Sequence, residues 1–126
     1  MKYFWTPALV LAALLTASFW NAGQIESDVA PWREAVESAV SAAERDDWSA
    51  ALTAVRDARD DWYDHHAYFH IVIAHDELDQ VDALFAKAES YAVEHDMPEF
   101  RAEAAELLEQ LDILVETQKL TVRNVL

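Results

Sequence analysis

The stretch YDHHAYFHIVIAHDELD, residues 63–79, carries four of the chain's five histidines, at 65, 66, 70 and 75, with acidic residues at both ends. Imidazoles and carboxylates are ordinary zinc ligands, so metal binding is the first chemistry this run suggests. His66 and His70 are four apart, which on a helix sets their rings about 40° apart around the axis, close enough to share one ion. His75 would lie about 140° from His70 on an unbroken helix, and Glu77 shares the His70 face but sits about 10.5 Å further along. A third ligand therefore requires a bend in the segment or another helix. Trp62, His66, Phe69, His70 and Ile73 also form one stripe, so the same histidines read first as members of a packing face, with metal binding second. His66, His70 and His75 are the metal candidates, without a committed site and with no cofactor expected. Proton sensing by the cluster in the mildly acidic range is the related alternative.

Other chemistry finds little footing. Cysteine is absent, which removes thiolate nucleophiles, disulfides and Cys-based metal sites. The single glycine, Gly23, excludes phosphate-cradling loops, dinucleotide fingerprints, the EF-hand turn and the nucleophile elbow, all of which need glycines at fixed positions. No Glu-x-x-His occurs, so the di-iron bundle pattern is missing, and Ser38 and Ser49 lie inside helical patterns. No catalytic residue is expected, and the chain reads as a non-enzyme.

Charge divides the chain in two. Lys2 is the one charged side chain among the first 25 residues of 126, while the other eight basic and all 24 acidic side chains follow. So acidic a region is repelled by nucleic-acid phosphates and by anionic lipid headgroups, and no nucleic-acid partner is expected.

The uncharged part contains YFWTPALVLAALLTASFW, residues 3–20. As a helix it extends roughly 27 Å, enough to cross a bilayer. Tyr3, Phe4 and Trp5 gather at one end and Phe19 and Trp20 at the other, with Trp5 and Trp20 the expected interfacial anchors. Pro7 is expected in the first turn of that helix. Residues 1–25 are thus read as a transmembrane anchor and 26–126 as an acidic helical domain. Lys2 before the span and Arg33 as the first basic residue after it place the N-terminus in the cytoplasm and the domain outside the cell membrane. Secretion after signal-peptide cleavage is the alternative, although neither Ala17 nor Ala22 ends a small-x-small cleavage pattern.

Scarce Gly and Pro beside abundant Ala, Glu, Asp and Leu indicate an all-α fold. Apolar spacings of three and four predict a helix from Pro31 to Ala43, and a second through Trp48, Ala51, Leu52, Val55, Ala58 and Trp62, capped by Asp46 or Asp47. A third is expected from Asp76, as its cap, through Leu78, Val81, Leu84, Phe85, Ala88, Tyr91 and Ala92. Asp96 and Glu99 have capping-box spacing ahead of a fourth that carries Phe100, Ala104, Leu107, Leu108, Leu111, Leu114 and Val115 and ends near Glu116 or Thr117. LTVRNVL, residues 120–126, should then pack on the bundle as an ordered tail. AAERDDWSAALTAV and YAVEHDMPEFRAEAAEL form a faint internal repeat, so a small antiparallel bundle of two helical hairpins joined by the histidine segment is the simplest architecture.

The N-terminal anchor, DDWSAA at 46–51, Trp62, residues 73–96, the helix from Glu99 and LTVRNVL together resemble the family filed as domain of unknown function 4363, small bacterial proteins with an N-terminal membrane helix. The resemblance implies a membrane-attached helical domain and no established activity. His65, His66 and His70 depart from it, as does the high Ala and Asp content. The expected role is that of a structural or protein-interaction module displayed on a single-pass membrane protein, with envelope or membrane proteins, or the chain itself, as partners. A metal- or pH-responsive module using residues 65–75 is the second expectation.

Overall fold

Spacings of three and four in an Ala- and Leu-rich chain produce helices, and the chain folds as five of them. The computed structural model describes the backbone of residues 2–125, and the side chains of these except at 2–4, 72, 121, 122, 124 and 125. α1 is Lys2–Glu44, α2 Trp48–Asp64, α3 His66–Val72, α4 His75–Glu94 and α5 Met97–Val125, with no strand among the described residues. α1 packs on α2 and α5, and α4 packs on the same two helices, so these four surround one core. The short α3 touches α2 and α4 at their joint.

The predicted apolar faces supply that core. Trp32, Val36 and Ala39 of α1, Trp48, Ala51, Val55 and Trp62 of α2, Leu78, Val81 and Phe85 of α4 and Phe100, Leu107, Leu111 and Leu114 of α5 are buried. Val40, Leu52, Tyr91 and Leu108, predicted on the same faces, pack half-buried at its margin. Every fully buried side chain among the described residues is apolar.

α1 differs from expectation in length. A helix was predicted to start at Pro31, yet α1 runs without a break from residue 2 through both Pro7 and Pro31. A proline inside a helix removes one backbone hydrogen bond and costs about 3 kcal/mol. Burial of Ile25, Val29, Trp32 and Val36 on one face of the same helix outweighs that cost. Pro7 correspondingly lies beyond the first turn. The boundary at residue 25 carries no loop, because the apolar segment and the first bundle helix are one rod.

The two sharp turns are built alike without glycine. Asp46 and His95 both take positive φ, 62° and 57°. At the first, the Asp46 and Asp47 amides donate to the Ala43 and Ala42 carbonyls. At the second, the His95 and Asp96 amides donate to those of Ala92 and Tyr91, the same Schellman pattern. Asp47 then caps α2 by accepting from the Ala50 amide at 3.2 Å, and Asp96 accepts from Glu99 at 3.3 Å. The repeat read from the sequence is thus a repeated turn: a left-handed residue followed by a capping aspartate.

Three boundaries correct the sequence reading. α4 starts at His75 with Ala74 as its N-cap, so Asp76 lies in the first turn, where its charge complements the helix dipole without capping it. α5 continues to Val125 where an end near 116 or 117 and a separate tail were expected, since Leu120 and its β-branched neighbours simply prolong the helix. Residues 66–72 are helical, so the joint narrows to Ile73 and Ala74. Leu126 lies outside the described residues.

Candidate functional site

Two buried tryptophans organise the end of the bundle nearest the apolar segment. Trp32 of α1 and Trp62 of α2 meet edge to face with centroids 5.4 Å apart, and Phe69 of α3 packs on both. Such a ring pair contributes roughly 0.5–1.5 kcal/mol beyond its area. An indole N–H cannot be buried without an acceptor, and each of these finds a carboxylate on a neighbouring helix. Trp32 donates to Asp61 and Trp62 donates to Asp82, both at 2.6 Å. Neither aspartate stood out in the sequence, because both occur among many acidic residues on solvent-facing positions.

The histidines stand around this pair. His65 Nδ1 is 2.8 Å from the Asp61 carbonyl, its ring lies against Trp32, and its Nε2 is 3.7 Å from Asp28. His66 Nε2 is 2.9 Å from the same Asp82 oxygen that receives Trp62, so its Nε2–H is the donor to that carboxylate. The extended residues Ile73 and Ala74 supply the bend required by the metal reading, and His75 is swung beside His70. His66, His70 and His75 consequently form a row with successive centroids 5.2 Å apart. His75 is exposed, with its Nε2 3.7 Å from Asp79 one turn on. Even so, among the described residues no three His, Asp or Glu side chains converge as a metal ion would require.

Tyr68, on the opposite side of α3, donates its hydroxyl to Asn21 of α1. Burial, and then the charge of Asp28, push its phenol above the ordinary tyrosine range. Between them these groups line an open groove of about 400 Å³, with Trp20, Gln24 and Asp28 on the α1 side and Asp64, His65 and Tyr68 opposite. The sequence singled out Trp20 for its place at the end of the apolar stretch. It gave no sign that Asn21, Gln24 and Asp28 would face Tyr68.

Trp5 and Trp20, the expected anchors, are both exposed, at 67% and 65%. The side chains of Tyr3 and Phe4 lie outside the described residues. From Trp5 onward α1 is long and apolar enough to cross a membrane, and almost none of its most apolar stretch is covered by the rest of the chain.

The chain belongs to the family described as Domain of unknown function (DUF4363), whose model matches residues 19–125. That span begins at the last aromatic pair of the apolar segment and takes in the whole bundle. No curated protein and no solved structure matches the chain.

Proposed function

We propose that this family member is a single-pass membrane protein, inserted through residues 3–20, whose acidic helical domain is a structural or protein-interaction module for envelope or membrane proteins or for a second copy of itself. The observation that carries this reading is the contrast along one unbroken helix. Leu9, Leu14, Phe19 and Trp20 are exposed, whereas from Ile25 onward the same rod contributes buried residues to the core. Apolar side chains left open over such a length need a solvent other than water. With Lys2 before the span, the N-terminus is cytoplasmic and the bundle extracytoplasmic.

In this reading the bundle is a pair of antiparallel hairpins, α1 with α2 and α4 with α5. Ion pairs between α1 and α5 support antiparallel packing of one hairpin on the other, because Glu26 meets Lys119, Arg33 meets Asp112 and Glu44 meets Arg101, so rising numbers on α1 match falling numbers on α5. Steps of seven and eleven residues recur on both helices, which is two and about three turns. No catalytic role is assigned to the bundle.

Fractionation of cells expressing the full chain tests the reading. The protein should stay with membranes after an alkaline carbonate wash and retain its N-terminal residues, and chemical crosslinking in those membranes should trap a partner or a dimer. Recovery as a soluble protein beginning near Ser18 would replace the anchor with a cleaved signal peptide.

A further inference from the structure

We propose that the groove lined by Trp20, Gln24, Asp28, Asp64, His65 and Tyr68 is a lipid-headgroup site that takes the primary ammonium of phosphatidylethanolamine. The inference rests on the reading of residues 3–20 as a bilayer span. A hydrocarbon core that ends near Trp20 is followed by about 5 to 7 Å of headgroups in each leaflet. At about 1.5 Å per residue that layer covers roughly residues 21–24, and the buried core starts just above it, at Ile25. Tyr68 reaches down into this layer to hydrogen-bond Asn21, which brings α3 and the groove to headgroup height.

The lining has the chemistry of a cation site. Trp20 and Tyr68 offer aromatic faces, Asp28 and Asp64 offer carboxylates, and no Lys or Arg is among the lining residues. Asp28 is only 14% exposed as a side chain, and it holds the Gln24 amide at 3.1 Å. Its second neighbour, His65 Nε2, stands off at 3.7 Å. The headgroup ammonium projects outward beyond its phosphate, so with the phosphate in the headgroup layer at the height of residues 21–24 the ammonium can enter the groove toward Asp28. An anionic headgroup would meet the two carboxylates and be repelled.

The test uses the full chain in nanodiscs holding equal parts of phosphatidylethanolamine, phosphatidylglycerol and phosphatidylcholine with identical acyl chains, with native mass spectrometry identifying the lipids retained on release. Phosphatidylethanolamine should be retained about tenfold over phosphatidylglycerol, the selectivity of one or two charge-assisted hydrogen bonds. The pair Asp28→Asn with Asp64→Asn should bring that ratio to within about twofold at unchanged helicity, and Asp112→Asn, remote on α5, should leave it intact. Trp20→Leu, at an exposed position that cannot disturb the core, should lower the ratio by itself. Equal retention of phosphatidylethanolamine and phosphatidylglycerol, or phosphatidylcholine retained as well as phosphatidylethanolamine, overturns the site while leaving the span standing. A chain that does not float with vesicles overturns span and site together, so the two failures are distinguishable.

Discussion

Trp62 donates its indole N–H to Asp82 across 2.6 Å, tying α2 to α4 beneath the histidine row. The indole is fully buried, so the carboxylate is the acceptor that makes burial of its N–H tolerable, and His66 leans on the same oxygen. Asp82→Ala strands that N–H and should cost about 1.5–3 kcal/mol in urea unfolding followed by far-ultraviolet circular dichroism. Asp82→Asn keeps an acceptor and should cost less. Asp112→Ala, which removes only an exposed ion pair with Arg33, should cost no more than about 1 kcal/mol. If Asp82→Ala proved no worse than Asp112→Ala, the tryptophan–aspartate link would not be structural.

The paired turns give a prediction with an internal control. His95 occupies the left-handed region and stacks on Trp48 with centroids 5.2 Å apart. His95→Gly and His95→Ala both lose the ring, but alanine keeps the steric penalty that glycine escapes. The glycine variant should therefore be the more stable of the two by roughly 1 kcal/mol. Thermal melts of both variants in one buffer decide it, and equal melting temperatures would mean that the turn carries no such strain.

Helical faces were legible in the sequence because burial leaves a period of 3.6, and Trp32, Trp48, Trp62, Phe85 and Phe100 are all buried where that period places them. Helix ends were less legible. Pro31 imitates a helix start, but a start requires unsatisfied N–H groups, and the preceding turns of α1 remove that need. The turns at Asp46 and His95 lack the glycine that would have marked their left-handed residues. The site was legible only as a density of histidines. What His66, His65 and Tyr68 contact depends on Asp82, Asp28 and Asn21, which lie 16 to 47 residues from their partners and carry no local signal.

Tyr68 links stability to alkaline pH. Its folded-state phenol is raised, first by burial and then by Asp28, so the fold favours the neutral form. A group raised in this way contributes stability that is fully present below its unfolded value, about pH 10, and is lost as pH rises through the folded value. Denaturant midpoints measured between about pH 9 and 11.5 should be flat at first and then fall. Tyr91, raised chiefly by Glu99, should contribute to the same fall. Tyr68→Phe should be less stable at neutral pH, through loss of the Asn21 bond, and should show a shallower alkaline decline. An unchanged slope in Tyr68→Phe would remove Tyr68 as its source.

The histidine row makes a prediction about metals that separates proximity from ligation. His66 uses Nε2 on Asp82, which leaves His70 and His75 as a neighbouring pair at the surface, with ring centroids 5.2 Å apart. Two imidazoles without a third protein donor fall short of the three or four that protein zinc sites use. Zinc or nickel titrated into the full chain in detergent should therefore show no saturable binding at micromolar concentration. His66→Ala should act on stability through Asp82, lowering the urea midpoint to a similar extent with and without added zinc. Saturable micromolar binding that disappears in both His66→Ala and His70→Ala would mean that the row rearranges around an ion, with Asp82 released from His66 to become a third ligand or to leave its place to water. That outcome would make the 65–75 segment a metal-responsive element.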